Sequence, residues 1–89
     1  MRQELINILG NELRFLAIET RDKLHLTQKE MGVRLHMSES SYSDIETGIS
    51  KCSALTTVLL LDMQEDPDDC LKKINEKFDK WYEKDMQSV

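Results

Sequence analysis

The sequence has little that interrupts a helix and no long hydrophobic run. Its 89 residues include only three glycines and one proline, which favours helices. No apolar run approaches the roughly 20 residues that a membrane-spanning helix needs. The first ten residues mix charged with apolar side chains and contain no cleavage-like site, so we expect no signal peptide. We expect one small helical domain, located in the cytoplasm and without membrane contact.

Residues that commonly bind metals or carry catalysis are also scarce. Cys52 and Cys70 lack a CxxC spacing; two reduced thiols are the expected state, with a bridge between them left open. His25 and His36 have no cysteine or carboxylate at metal-ligand spacing. The sequence contains no glycine-rich phosphate loop either. We therefore expect no metal, no cofactor and no enzymatic activity.

An excess of positive charge is missing as well. Twelve Lys and Arg residues against 17 Asp and Glu residues give a net charge of −5. This balance disfavours DNA binding, because cationic side chains that neutralise phosphates supply much of the affinity for DNA. Four of the five excess negative charges lie in residues 54–89, which hold five basic and nine acidic residues. Residues 26–53 are nearly neutral but hold no basic patch.

The most informative segment is Leu26 to Gly48, which predicts two short helices joined by a tight turn. Thr27 followed by Glu30 forms a capping box at the start of the first helix. Ser38 is a suitable N-cap for the second helix, and Gly48 a suitable residue just after its end. Both helices carry apolar positions three or four residues apart, namely Met31, Leu35, Tyr42 and Ile45. This is the layout of a helix-turn-helix, whose second helix normally lies in the DNA major groove.

A long helix is predicted before this motif, from about residue 3 to about residue 24. Its main apolar face repeats at steps of three and four residues, through Leu9, Leu13, Leu16, Ala17, Thr20 and Leu24. A second stripe runs through Ile8, Phe15 and Ile18, with Leu5 at its edge. A surface helix of a monomer needs only one apolar face. The second stripe therefore either widens the buried face or meets a partner subunit.

Two more helices are predicted after the motif. Ser53 caps a helix from about 54 to 64, whose nearly continuous apolar run indicates burial. Asp66 followed by Pro67 marks the start of a last helix, which runs to about Asp85. One apolar stripe of this helix packs on the first helix or forms a dimer; its members are Leu71, Ile74, Phe78, Trp81 and Tyr82.

From about residue 9 to residue 64 the sequence resembles the phage-repressor and Cro-like regulators of the XRE family. The resemblance lies in the Leu-Thr-Gln start at Leu26, the small residue Gly32 and the Ile-Glu-x-Gly ending at Gly48. The apolar residues Met31 and Leu35 also fit, as do Met37 and Ile45. The resemblance implies contacts with phosphates or bases at the helix 2 start, the recognition helix and the following loop. The candidates are Gln28, Lys29, Ser38, Glu39, Ser40, Ser41, Asp44, Ser50 and Lys51, with Arg34 as a further backbone contact.

The resemblance also implies an ion pair between Arg21 and Glu46 that fixes the recognition helix to helix 1. Breaking one partner of a buried pair costs about 3–5 kcal/mol, so Arg21→Ala is expected to lower stability before it affects specificity.

Several residues depart from the family pattern. His36 stands in the turn where glycine is usual, and His25 replaces a common glycine before Leu26, at positions that often need a left-handed backbone. Tyr42 is larger than the usual Ile or Val. Glu39 and Asp44 fall on the presumed DNA face, where carboxylates mostly repel phosphates, and the recognition helix has no Arg or Lys.

The sequence thus predicts an all-α, five-helix phage-repressor-like domain with a long C-terminal helix. Residues 1–66 form the helix-turn-helix domain, with the motif at 27–48, and residues 67–89 extend it for packing or dimerisation. We expect a sequence-specific transcriptional regulator that places helix 3 (about 39–47) in the major groove of double-stranded DNA, as a homodimer on a palindromic site. The alternative is a helix-turn-helix fold used to bind a protein or antagonise another regulator, without DNA binding.

Overall fold

A computed structural model describes residues 2–87, with side chains up to residue 84. Within this range the chain forms five α-helices and no strand, which confirms the predicted all-α fold. Met1 and Val89, which are the two predicted ends of the domain, lie outside the described residues. The helices are α1 (Arg2–Lys23), α2 (Gln28–Arg34), α3 (Glu39–Glu46), α4 (Ala54–Asp62) and α5 (Pro67–Gln87).

Side-chain caps fix the starts of α2 and α3 at the predicted residues. The Thr27 hydroxyl accepts a hydrogen bond from the Glu30 N–H (3.1 Å), and the Glu30 carboxylate accepts one from the Thr27 N–H (3.0 Å). The Ser38 hydroxyl accepts from the Ser41 N–H at 3.1 Å. Each bond satisfies a backbone N–H that the first helical turn leaves free.

The same local chemistry starts the last two helices. The Ser53 hydroxyl accepts from the Thr56 N–H (3.2 Å), and the Asp66 carboxylate accepts from the Asp69 N–H (3.1 Å). α4 ends at Asp62, two residues before the predicted end at Gln64.

Left-handed backbone conformations occur where the sequence predicts them. His25 has φ 56° and His36 has φ 57°, and these are the two residues for which the resemblance implies such a backbone. Gly48, just after α3, has φ 82°. The chain thus makes two of these turns with a residue that adopts this conformation at a cost.

The core lies between α1, the α2–α3 pair and the inner faces of α4 and α5. Tyr42 and Met31 are among the largest side chains buried in it, so the unusual tyrosine of α3 is fully accommodated. The buried apolar cluster consists of Leu13, Ala17, Met31, Leu35, Tyr42, Leu60 and Ile74.

α4 is less buried than its apolar run indicated. Only Thr56 and Leu60 are buried, whereas Leu55 and Val58 are each 64% exposed. The expectation of a buried helix was therefore wrong for its outer face. A nearly continuous apolar run gives too little periodicity for the inner face to be distinguished.

α5 packs against α1 and α4. Ile74 is 7% exposed within the core and Phe78 packs against it, so these two residues of the predicted stripe are used inside the chain. Leu71 and Tyr82 remain 45% exposed, and Trp81, partly buried, meets the Tyr82 ring edge-on at 5.3 Å. Among the described helices, none is both long and apolar enough to cross a membrane.

Candidate nucleic-acid interface

α2 and α3 approach each other closely because Gly32 has no side chain. A Cβ at this position would lie 2.9 Å from the Met37 carbonyl oxygen and 3.2 Å from that of Ser38. Both are backbone atoms at the turn between the helices, so they cannot move aside cheaply. The small residue therefore sets the spacing at which α3 sits on α2.

One carboxylate joins the first three helices. The Arg21 guanidinium donates to Glu46 through Nε (2.6 Å to Oε2) and Nη2 (3.1 Å to Oε1). The Gln28 amide donates to the same Oε1 at 3.1 Å. The two residues that the resemblance paired are thus in bidentate contact, and Gln28 adds a bond that the sequence did not predict. We call Arg21, Gln28, Tyr42 and Glu46 the anchor cluster.

In the anchor cluster, the charge of the buried Glu46 carboxylate is compensated by neighbouring hydrogen-bond donors. Glu46 is 9% exposed, and this burial by itself raises the pKa of its carboxyl group. Hydrogen bonds from Arg21 and Gln28, with the nearby Tyr42 hydroxyl, outweigh burial and lower that pKa below its ordinary value of 4.5. Burial and then the neighbouring Glu46 raise the pKa of Tyr42. Glu46 is therefore charged and Tyr42 neutral around neutral pH.

Two further hydrogen bonds join α3 to α1, one at the C-terminal end of α3 and one at Tyr42 on its buried face. Arg14 Nε donates to the Glu46 carbonyl oxygen at 2.7 Å, and the Tyr42 hydroxyl donates to the Ala17 carbonyl oxygen at 3.3 Å. Sequence reasoning missed Arg14. The sequence pattern that could have identified Arg14 is its spacing of seven residues from Arg21, which puts both arginines on one face of α1.

The outer side of α3 contributes to a shallow surface depression. It is lined by Gln28, Ser38, Glu39, Ser40, Ser43 and Asp44, which we call the recognition surface. Five of these six residues belong to the candidate set. Ser43 does not, although it lies three residues after Ser40 and therefore close to it on the helix face.

The remaining candidates lie elsewhere. Lys29 is exposed on α2, and Ser41 is exposed beside the cap formed by Ser38, whose hydroxyl donates to the Ser41 hydroxyl at 3.0 Å. Ser50 and Lys51 line a separate cavity of about 260 Å³ together with Arg14. The candidate residues thus form one main surface, with a second group in the loop after α3.

Charge on the recognition surface is negative. Glu39 is exposed and Asp44 half-buried, and α3 contains no lysine or arginine. The basic groups nearest in sequence are exposed and lie outside α3, at Lys29, Arg34 and Lys51. Direct contacts with guanine by Arg or Lys would therefore have to come from outside α3.

Comparison with known proteins agrees with this geometry. A family model described as helix-turn-helix matches residues 18–62, from the last turns of α1 to the end of α4. No curated protein and no solved structure matches the chain significantly. The matched segment covers the α2–α3 pair, both of its caps and the complete anchor cluster.

Proposed function

Because this chain belongs to the helix-turn-helix family, a family of DNA-binding regulators, we propose that it controls transcription by placing α3 in the major groove. The membership confirms the resemblance to XRE-family regulators. The proposal extends it to particular residues, to a homodimer and to a palindromic site. The observation that carries it is the anchor cluster, which holds the inner face of α3 and leaves the recognition surface outward.

In this proposal the recognition surface reads the bases. Ser40 is exposed at the start of α3 and makes no side-chain hydrogen bond within the described residues, so its hydroxyl is free for a base edge or a phosphate. Asp44, one turn later, can accept a hydrogen bond from cytosine N4. The free N–H groups at the N-terminus of α3 favour a phosphate near Ser38.

Backbone phosphates are contacted on either side of α3. Gln28 uses one amide hydrogen to bond Glu46, which leaves the other for a phosphate oxygen while the side chain stays fixed in orientation. Lys29 lies next to it at the start of α2. After α3, Ser50 and Lys51 border the cavity that Arg14 also lines, so two basic residues lie at the same cavity. Phosphate contacts of this kind fix position and contribute little to sequence choice.

A second copy of the chain is proposed to pack on the outer face of α4. Leu55 and Val58 are each 64% exposed there, and Ile49 in the preceding loop is 76% exposed. A dimer formed on this face sets the separation of the two recognition helices. Half-sites one helical turn apart need a separation of about 34–36 Å. The exposed α5 residues Leu71 and Tyr82 are the competing surface.

Selection of genomic fragments at low salt tests DNA recognition. The folded protein is expected to enrich one palindromic sequence, and Ser40→Glu to abolish the enrichment by placing a carboxylate against the DNA. Asn75→Glu on the exposed side of α5 adds the same charge outside the proposed interface and serves as the matched control. Binding should also weaken steeply with added salt. Equal loss in both variants would show that net charge alone decides binding.

A second function is favoured by one observation, the two carboxylates on a recognition surface without a basic residue. Such a surface suits a basic protein partner rather than DNA. If the folded chain enriches no DNA at any salt concentration, the DNA proposal fails and the helix-turn-helix serves as a protein-interaction module.

Sedimentation of two charge variants tests the dimer. Val58→Glu is expected to convert the protein to a monomer and to weaken DNA binding, whereas Leu71→Glu is expected to leave both unchanged. The opposite pattern would assign the interface to α5.

A further inference from the structure

A groove runs between α1 and α5, away from the helix-turn-helix. It encloses about 360 Å³, and its lining includes the apolar residues Phe15, Leu16 and Ile74. Phe15 is 51% exposed although the Arg14 guanidinium lies 5.4 Å from its ring centroid. Phe15 lines this groove with Leu16 and Ile74, and an apolar patch rimmed by polar residues is the kind of surface that marks interaction sites.

The rim of this groove is negatively charged. Five carboxylates line it against two ammonium groups, Lys23 and Lys73, and Lys73 is already paired with Asp69 at 3.1 Å. Glu12, Glu19 and Glu65 form no ion pair within the described part of the chain. The carboxylates are Glu12, Glu19, Glu65, Asp66 and Asp69.

α1 separates this groove from the DNA-facing half of the molecule. Arg14 and Arg21 lie seven residues apart on the side that bonds Glu46 of α3. Glu12 and Glu19 are also seven residues apart but are offset from the arginines by two positions, which is about 200° around the helix. The acidic side of α1 therefore points away from α3, and the groove shares no lining residue with the recognition surface.

We propose that the α1–α5 groove binds a basic amphipathic segment of a partner protein. Apolar side chains of that segment pack on Phe15 and Leu16, while its Lys or Arg side chains meet the unpaired carboxylates of Glu12 and Glu19. Charge complementarity selects this occupant over a second copy of the chain, because a second copy brings a net charge of −5. The groove shares no lining residue with the recognition surface, so, if the proposed function holds, the partner and DNA can be bound together.

A designed peptide serves as the probe. It contains only Leu and Lys, with Leu at steps of three and four residues so that one helical face is apolar. Backbone NMR shifts of the full chain are expected to change in residues 12–19 and 65–74. A peptide of the same composition with its order scrambled keeps the charge but loses the apolar face, and is expected to bind about tenfold more weakly.

Two double variants distinguish the effect of charge in the groove on peptide binding from the effect of the net charge of the protein. Glu12→Gln with Glu19→Gln is expected to weaken peptide binding about tenfold. Glu76→Gln with Glu83→Gln makes the same change of charge on exposed α5 residues outside the groove and is expected to leave binding nearly unchanged. Phe15→Ala should also weaken binding, without loss of the fold because the ring is half-exposed.

Several results would overturn the proposal. These are no binding at millimolar peptide, equal binding of the scrambled peptide, equal loss in the two double variants, and shifts centred on the recognition surface. Shifts in the groove that appear on raising the protein concentration alone would assign it to a second copy instead. The Ser40→Glu variant is expected to bind the peptide normally, so failure of DNA recognition and failure of this proposal remain distinguishable.

Discussion

Among single residues, Glu46 carries the most consequence for the fold. Its carboxylate accepts hydrogen bonds from α1 and α2, and its carbonyl accepts one from Arg14. A buried carboxylate that loses its cation is left with an uncompensated charge, which is costly. The orientation of α3 thus depends on a small number of polar contacts rather than on apolar packing alone.

Replacing Arg21 with alanine tests this dependence. The Arg21 side chain is 26% exposed and Glu46 only 9%, so the expected loss is at the low end of the range for buried pairs, about 3 kcal/mol. Chemical denaturation measures it. Arg34→Ala removes the same charge from an exposed residue of α2 and should change stability by less than about 0.5 kcal/mol. An unchanged unfolding midpoint in Arg21→Ala would contradict a structural role for the pair.

The left-handed turn at His36 predicts a stabilising substitution. His36→Gly removes the cost of φ 57° but adds freedom to the unfolded chain. The net gain is expected to be about 0.5–1 kcal/mol in thermal or chemical denaturation. His36→Ala retains the conformational cost and should give no gain. Equal stabilisation by both variants would show that the imidazole, not the backbone, is unfavourable.

At the scale of the helices, starts were predictable and packing faces were not. Thr27, Ser38, Ser53 and Asp66 act within three residues of themselves, so their capping bonds are encoded locally. The outer face of α4 was not predictable, because the covered side of a helix with apolar residues all round depends on where its neighbours pack. The bond from Gln28 to Glu46, 18 residues away, likewise depends on tertiary packing.

Two glycines in helices are expected to respond oppositely to alanine. Gly32→Ala places a Cβ against backbone oxygens of the α2–α3 turn and should destabilise by about 1–2 kcal/mol. Gly10→Ala meets nothing within 4 Å and should stabilise α1 by about 0.5–1 kcal/mol. Denaturant unfolding of both variants is the measurement. A stable Gly32→Ala protein would mean that α2 and α3 can separate without cost.

For the molecule as a whole, α5 belongs to the fold that contains the helix-turn-helix. Ile74 is in the same buried cluster as Leu13 of α1 and Leu60 of α4. α5 thus contributes Ile74 to the core, and we propose that the division at residue 66 separates two parts of one folding unit. The family match, which ends at residue 62, does not include this helix.

A core substitution in α5 tests whether this helix unfolds together with the helix-turn-helix. Ile74→Ala is expected to cost about 2–4 kcal/mol by leaving a cavity, and to lower the stability of α3 by the same amount in hydrogen exchange. Leu71→Ala, at a residue 45% exposed, should cost less than about 1 kcal/mol. If α3 keeps its protection in Ile74→Ala, the two parts unfold independently.

Acid sensitivity of the whole fold follows from Glu46. Its pKa is lower in the folded chain than its ordinary value of 4.5, so the charged form adds stability above that value. This contribution is lost as the pH falls below 4.5 and through the lower folded pKa. Glu46→Gln should therefore be less stable at neutral pH but lose less stability on acidification. A pH profile parallel to that of the unmodified protein would contradict this.

The division of α3 into an inner and an outer side has an evolutionary consequence. Tyr42 and Glu46 fix the helix, whereas Ser40, Ser43 and Asp44 lie on the recognition surface. Mutations at the outer positions are expected to leave the anchoring bonds intact, so under the proposed function the DNA preference can change while the fold is kept. A combinatorial library confined to these three codons should therefore consist largely of folded proteins, and new specificities can be selected from it directly.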